Sequence, residues 1–189
     1  QDNAPTAVTF NSTGTLMFII GTQNDTVYTY SLSVAFSLSS TVALLRSYTQ
    51  TQDTAPSGLA FNTDGTKMFI VGSSTQKAYQ YTLTTGFDTS TASYTINIGI
   101  NISNVSGIAF STDGTKMVIG SGRNTIFAYG FSTGFDFSSP GTTFYESNII
   151  DNLSGIAFNT NGTKMFTTVA STSDTVKEYS LSTAFDVSN

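Results

Sequence analysis

The sequence predicts an all-β protein built from tandem copies of one antiparallel β unit. Three observations lead to this prediction. A fourfold repeat runs through the 189 residues, apolar residues either alternate or run continuously over strand-length segments, and Asp-Gly or Asn-Gly pairs stand at the same place in three of the four units. No stretch of useful length carries helical periodicity.

The repeat is visible in the segments AVTFNSTGTLMFIIG, GLAFNTDGTKMFIVG, GIAFSTDGTKMVIG and GIAFNTNGTKMFTT. Their equivalent phenylalanines lie 51, 49 and 48 residues apart, at Phe10, Phe61, Phe110 and Phe158. A later phenylalanine recurs at Phe36, Phe87, Phe135 and Phe185. The predicted repeats therefore cover residues 1–52, 53–102, 103–150 and 151–189, with the fourth incomplete.

Each repeat is predicted to begin with a strand and a tight hairpin. In Leu59-Ala60-Phe61 the large apolar side chains alternate with a small alanine, which places them on one face. The turn follows at Asp64-Gly65, with Asp113-Gly114 and Asn161-Gly162 at the same place in the next repeats. Because Gly and Asn tolerate the positive φ of a tight turn, these pairs favour antiparallel hairpins.

Three further strands complete the predicted unit. Residues 67–71 are almost continuously apolar after Lys67, as expected for a central strand that is covered on both faces. A polar turn leads to a third strand such as 27–30. A fourth strand is predicted at residues 42–48, 92–98 and 142–147.

The pattern of Phe, Asn or Ser, Thr, Asp, Gly, Thr, Lys, Met and an apolar strand resembles the repeat of YVTN-type β-propellers, most specifically at the DGTK hairpin. The segment Ser182-Thr183-Ala184-Phe185-Asp186 is similar to the end of tandem repeats encoded by environmental bacteria and phages. The resemblance implies a β-propeller-like fold with four blades of up to four antiparallel strands. The first repeat departs from it at Thr13-Gly14 and at Ser37, as a terminal variant would.

The fourth repeat is predicted to lack its outermost strand. The steps from the late phenylalanine of one repeat to the early phenylalanine of the next are 25, 23 and 23 residues, whereas four residues follow Phe185. An unpaired edge is then expected at Val176, Lys177, Glu178 and Tyr179, where another chain could add a strand. A module cut from a longer run of repeats explains the deficit equally well. A four-bladed ring, half of a larger ring and a fibre all stay open.

Composition excludes several kinds of catalytic and metal site. The chain has no His and no Cys, so neither a Ser-His-Asp triad, a Cys-His pair nor a thiolate or imidazole metal site can be built. The aspartates recur at turn positions, which indicates structural use, and the repeat-locked Tyr and Phe favour core packing over sugar stacking. Calcium binding stays open in principle, although no Asp-rich calcium loop is present. We therefore expect no enzyme activity, no cofactor and no metal site.

The expected partners follow from charge and surface chemistry. A net charge of −5 argues against nucleic acid, and apolar runs such as MFII are too short to cross a bilayer. Ser and Thr together supply 26 plus 33 residues, which predicts a hydroxyl-rich surface. Six Asn-x-Ser/Thr sequons offer glycosylation positions at Asn11, Asn24, Asn101, Asn104, Asn152 and Asn161.

These features favour a non-catalytic repeat protein at an extracellular, cell-surface or virion-surface location. We expect it to assemble with copies of itself into an oligomer or fibre through β-strand edge pairing. An adhesin that binds glycans or a surface receptor is the alternative. A propeller lactonase or hydrolase is the remote alternative.

Overall fold

A computed structural model describes residues 2–123, 125–147, 153–170 and 175–188, with backbone alone at residues 140 and 142–147. Among these residues the chain forms four antiparallel sheets, three with four strands and one with three. The order of strands in each sheet is their order in the sequence, so each sheet is one repeat. This is the all-β, propeller-like fold class that the sequence predicts.

The strand bounds agree closely with the repeat. Sheet 1 contains β1 (Pro5–Phe10), β2 (Leu16–Gly21), β3 (Thr26–Leu32) and β4 (Val42–Thr49). Sheet 2 contains β5 (Pro56–Phe61), β6 (Lys67–Gly72), β7 (Lys77–Leu83) and β8 (Ala92–Gly99). Sheet 3 contains β9 (Val105–Phe110), β10 (Lys116–Ser121), β11 (Thr125–Phe131) and β12 (Pro140–Ser147). Sheet 4 contains β13 (Leu153–Phe158), β14 (Lys164–Val169) and β15 (Thr175–Ser180).

The predicted hairpins close as their turn residues require. The four turn glycines have positive φ between 69° and 73°, at Gly14, Gly65, Gly114 and Gly162. In sheet 2 the Asp64 carboxylate accepts hydrogen bonds from the backbone N–H of Thr66 at 2.9 Å and from its hydroxyl at 2.6 Å. Glycine adopts this backbone conformation without the steric cost that a side chain brings, so the hairpin is fixed by local chemistry.

In each sheet, a phenylalanine that follows the third strand packs on the glycine of the first hairpin. We call this pair the phenylalanine latch. Phe87 follows β7, has a φ of 60°, and donates its backbone N–H to the Gly65 carbonyl at 3.0 Å. Its ring lies where a Cβ on Gly65 would stand, and 5.5 Å from the Phe61 ring between centroids. The same pairing occurs in every sheet, at Gly14 with Phe36, Gly65 with Phe87, Gly114 with Phe135, and Gly162 with Phe185. A positive φ at phenylalanine is strained, so the contact over the glycine must compensate for it.

The first of two compact units covers residues 1–99 and holds sheets 1 and 2. Its core joins Phe18, Ile20 and Val27 of sheet 1 to one face of sheet 2. That face supplies Leu59, Met68, Ile70, Tyr79, Tyr81 and Leu83. A three-residue 3₁₀ helix, Thr89–Thr91, which the sequence did not predict, precedes β8.

The second unit covers residues 100–189 and holds sheets 3 and 4. Its core joins Val118, Ile126 and Ala128 of sheet 3 to sheet 4 and to the segment that follows β15. The residues contributed from there are Leu153, Met165, Val169, Leu181 and Val187. Both cores are therefore built by packing one repeat face to face on the next.

Candidate assembly edge and sequon positions

Strand β15 forms an edge of sheet 4. It pairs with β14 along its whole length, with Lys164 opposite Ser180 and Val169 opposite Thr175. Within the described residues no strand pairs with its other side, whereas β3, β7 and β11 each have a fourth strand beside them. Among the described residues, sheet 4 thus has the three strands that were predicted for it.

The side chains of β15 are more exposed than those of the equivalent strands β3, β7 and β11. The register places Val176 at the position of Val27 in β3, because Tyr179 and Tyr30 both lie opposite the repeat methionine. Val27 is 0% exposed and Val176 is 72% exposed. Lys177 and Glu178 are also exposed, and Tyr179 is half-buried. The predicted edge residues therefore lie together on an open strand.

The direction of the free backbone groups follows from one hydrogen bond. Leu181 donates its backbone N–H to the Thr163 carbonyl at 2.8 Å, on the β14 side. Because donors along a strand alternate between its two sides, the N–H groups of Val176, Glu178 and Ser180 point away from β14. In sheet 1, Ser33 lies one residue beyond the equivalent strand and donates to Thr41 on the β4 side at 3.1 Å, which agrees with this alternation.

The edge also carries opposite charges. Lys164 donates from its ammonium group to the Glu178 carboxylate at 2.6 Å, and both side chains are close to half exposed. Such an exposed pair stabilises the fold by about 0–1 kcal/mol. Charged residues on an open strand discourage indiscriminate pairing, so an incoming strand must match this pattern.

Two of the sequon asparagines are used by the hairpins. The Asn11 side chain accepts the Leu16 backbone N–H at 2.9 Å and donates to the Thr13 hydroxyl, also at 2.9 Å. Asn161 accepts from the Thr163 hydroxyl at 2.7 Å, as Asp64 does from Thr66. An N-linked glycan attaches to the side-chain nitrogen, so on Asn11 it would compete with the bond to Thr13, whereas the Asn161 contact uses the side-chain oxygen.

Three other sequons lie in loops. Asn24, Asn101 and Asn104 are exposed, and Asn24 donates from its side chain to the Tyr28 hydroxyl at 3.2 Å. Asn101 and Asn104 have positive φ of 53° and 57°. Asn152 lies outside the described residues. Glycosylation of these positions stays a prediction.

The repeated aspartates close turns. Asp88, Asp136 and Asp186 each accept hydrogen bonds from the backbone N–H and hydroxyl of the serine two residues later. The Ser188 hydroxyl and backbone N–H lower the pKa of Asp186, and the Ser90 hydroxyl contributes most to lowering the pKa of Asp88. A carboxylate held in this way is a poor general base, because its ionised form is stabilised.

A small cavity of about 240 Å³ lies in the second unit. Its lining includes Lys116, Ala128, Tyr129 and Asp186. In the first unit the positions of Lys116 and Ala128 hold Leu16 and Thr29, and Thr29 is hydrogen-bonded to Thr89 at 2.8 Å. This cavity was not predicted from the sequence, although the two differences within the repeat, at the positions of Lys116 and Ala128, could have indicated it.

Two further observations concern metal sites and membrane-spanning helices. Among the described residues no cluster of three or more Asp, Glu, His or Cys side chains could hold a metal ion. Across the same part of the chain, no helix has the length and apolar character needed to cross a membrane.

Comparison with solved structures identifies the fold. The chain is similar to a functionally unknown protein from Desulfotomaculum acetoxidans, with 17% identity and a TM-score of 0.65 over 96% of this chain and 56% of that one. It is also similar to a Bacteroides fragilis protein provisionally named a 6-phosphogluconolactonase, with 10% identity, a TM-score of 0.65, and 93% and 50% coverage. The β-propeller domain of Myceliophteria thermophila Cps50 (Swd1) matches at 10% identity and a TM-score of 0.59, with 94% and 54% coverage.

These likenesses support the fold alone, because every identity is far below the level at which function is shared. The chain spans about half the length of the structures it matches. No family model matches the chain. No curated protein matches it either.

Proposed function

We propose that this chain is a non-catalytic repeat module, located outside the cell or on a virion surface, that self-associates by β-strand addition. The acceptor is the open edge of β15, and the donor is an extended strand of a second copy. The observation that carries the proposal is that, among the described residues, β15 has a strand on one side alone, whereas β3, β7 and β11 each lie between two strands.

The backbone of the edge supports this use. Val176, Glu178 and Ser180 direct their N–H groups and carbonyls away from β14, so about six backbone hydrogen bonds can form with an added strand. Each contributes about 0.5–1.5 kcal/mol net. Association itself costs about 4–15 kcal/mol in lost freedom of motion. Edge pairing alone is therefore weak, and a stable assembly needs further contact area.

The chemistry of the chain supports a non-catalytic role. The turn aspartates are held by hydroxyl and backbone donors, and the chain has no His or Cys. Resemblance to a provisionally named lactonase concerns the fold and brings no catalytic group with it.

The experiment compares two substitutions at one position of the edge. Glu178→Pro removes an outward N–H and fits an edge strand, where proline is tolerated. Glu178→Ala is the matched control, because it removes the same side chain and its ion pair with Lys164 but keeps the N–H. We expect sedimentation velocity to show wild type and Glu178→Ala associating with concentration, and Glu178→Pro at least tenfold weaker. A monomeric wild type at millimolar concentration, or equal association of both variants, would overturn the proposal.

A further inference from the structure

Sheet 1 has an apolar face that is exposed, whereas the equivalent face of sheet 2 is buried. We name it the outer face of sheet 1, and define it by Val8, Ile19 and Tyr28, which lie opposite one another on β1, β2 and β3. The equivalent residues of sheet 2 pack on sheet 1, and they are Leu59 at 5%, Ile70 at 0% and Tyr79 at 3% exposure. Val8 is 59% exposed, and Ile19 and Tyr28 are partly exposed.

The loop that follows β3 also has an apolar residue that is exposed in sheet 1, whereas the equivalent position in sheet 2 is buried. Leu38 stands two residues after the latch phenylalanine of its repeat and is 63% exposed. Its equivalent in sheet 2, Thr89, is 0% exposed and is bonded to Thr29 of sheet 1. Its equivalent in sheet 4, Val187, is 4% exposed and packs with Val118 of sheet 3. In both cases this position touches the preceding repeat, so Leu38 marks where a further repeat would pack.

Sheet 4 presents the complementary kind of face. We name it the outer face of sheet 4, and define it by Phe166, Thr168 and Val176. Phe166 holds the position of Phe18 and Val176 that of Val27, and in sheet 1 these two residues pack against sheet 2. Phe166 is partly exposed, and Thr168 and Val176 are exposed. The ion pair of Lys164 and Glu178 lies on the same side, as a polar margin.

We propose that the outer face of sheet 1 binds the outer face of sheet 4 of a second copy of this chain. The occupant follows from the repeat itself, since within one chain the face with Leu59, Ile70 and Tyr79 is covered by a face with Phe18 and Val27. The first unit exposes one half of that contact and the second unit exposes the other half, so the contact can form head to tail between copies. The inference rests on the proposed self-association and supplies the contact area that edge pairing lacks.

The exposed apolar side chains of the outer face of sheet 1 can contribute to the contact. Val8 and Leu38 are large apolar side chains with more than half of their surface exposed. Burying a side chain of this kind contributes about 1.5–3 kcal/mol. Exposed apolar clusters with a polar margin are typical of protein interaction sites. On sheet 4, Thr168 replaces the Ile20 of sheet 1, which makes this contact weaker than the packing inside one chain.

The test uses substitutions on each face and a matched control. Val8→Glu and Leu38→Glu place a charge on the outer face of sheet 1, and Thr168→Glu places one on that of sheet 4. Thr168 lies opposite Val176 but belongs to β14, so this substitution leaves the outward backbone groups of β15 in place. Val34→Glu is the control, because Val34 is 58% exposed and the equivalent Thr85, Thr133 and Thr183 are exposed as well. Circular dichroism and thermal melts confirm that each variant is folded.

We expect sedimentation and native mass spectrometry to show Val8→Glu, Leu38→Glu and Thr168→Glu each associating at least tenfold more weakly than wild type, while Val34→Glu matches wild type. Mixing Val8→Glu with Thr168→Glu should restore a dimer, because each retains the face that the other has lost. Head-to-tail contact predicts this rescue.

Three outcomes would overturn the inference. If Thr168→Glu associates like wild type while Val8→Glu does not, the sheet 1 faces pair with each other or with another surface. If Glu178→Pro dissociates the assembly and the face variants do not, the edge mediates association and the faces are unused. If the wild type stays monomeric at millimolar concentration, both the face contact and the proposed self-association fail.

Discussion

The segment just before the first strand of a sheet contacts the loop between the second and third strands. We call this contact the corner of the sheet, and it is built differently in sheets 2 and 3. In sheet 2 a buried carboxylate, Asp53 at 1% exposure, accepts hydrogen bonds from the backbone N–H of Ala55 at 2.8 Å and of Thr75 at 2.9 Å. It thereby ties the start of β5 to the loop between β6 and β7. In sheet 3 the same position holds Ile102 at 2% exposure. One corner is closed by a hydrogen-bonded aspartate and the other by an apolar side chain.

A second position, Gly72 in sheet 2 and Ser121 in sheet 3, differs between the two sheets together with the position of Asp53. A Cβ on Gly72 would collide with the Asp53 carboxylate, so sheet 2 needs glycine there. Sheet 3 has Ser121 at that position, and its hydroxyl donates to the Ser103 carbonyl at 3.0 Å and accepts from the Arg123 N–H at 3.2 Å. The serine partly replaces the missing carboxylate. The two positions therefore behave as one unit, and a change at either should be judged with its partner.

The largest effect is expected from removing the buried carboxylate. Asp53→Ala leaves the backbone donors of Ala55, Ser74 and Thr75 without their acceptor, which should lower the free energy of unfolding by about 3 kcal/mol. Asp2→Ala is the matched control, since Asp2 makes the same bonds in sheet 1 but is partly exposed, and about 1 kcal/mol is expected. Urea denaturation measures both. Equal losses would mean that burial of Asp53 has no influence on its contribution.

The next effect tests the pairing of the two positions. Gly72→Ala should cost about 2 kcal/mol in urea denaturation, because the new Cβ collides with the carboxylate. Gly99→Ala, where a Cβ meets nothing within 4 Å, is the control and should cost less than about 1 kcal/mol.

The double variant Asp53→Ile with Gly72→Ser transplants the sheet 3 pair into sheet 2. We expect it to be less destabilised than the sum of its single variants by about 1–2 kcal/mol. Strict additivity would show that the two positions act independently.

A smaller effect is expected in sheet 3. Ser121→Ala removes the two hydrogen bonds of the hydroxyl but leaves the apolar corner in place, so about 1 kcal/mol of unfolding free energy should be lost. Ser93→Ala, on the exposed side of β8, serves as the reference and should change little. A loss as large as that of Asp53→Ala would contradict the view that Ile102 closes this corner.

The smallest effect concerns the hairpin, where sheet 2 has Asp64 and sheet 4 has Asn161. Hydrogen bonds from Thr66 lower the pKa of Asp64 below its usual 3.8, so its ionised form favours the folded state. That contribution is present above pH 3.8 and is lost as the pH falls through the lower folded-state pKa. Asp64→Asn should change stability at pH 7 by less than about 0.5 kcal/mol and should reduce the loss on acidification. Urea titrations at neutral and acid pH measure it. An unchanged acid loss would contradict the assignment.

The strands and hairpins could be predicted because their causes are local and recur. Gly65 and its equivalents need positive φ, and the apolar segment after Lys67 has the length of a strand. The open β15 edge was predictable by counting residues after Phe185. The 3₁₀ helix at Thr89–Thr91 was not, because three residues carry no periodicity.

The sheet corners and the outer faces needed the structure. Asp53 and its partner Thr75 are 22 residues apart, and nothing in either residue alone identifies the contact. A sequence signal exists, since Asp2 with Gly21 and Asp53 with Gly72 share one spacing and sheet 3 lacks both residues. The exposure of Val8 could not be predicted either, because the equivalent Leu59 has the same chemistry and is buried.

The phenylalanine latch has a consequence for how such chains change in length. Each latch joins a glycine and a phenylalanine of the same repeat, as Gly65 and Phe87 do, so the hydrogen bond that secures a hairpin lies within one repeat. A duplication or deletion whose boundaries fall after the latch keeps every such pair intact. A boundary between the two residues would leave a strained phenylalanine without its glycine. Recombination in phase with the latch can therefore lengthen or shorten the array one whole sheet at a time.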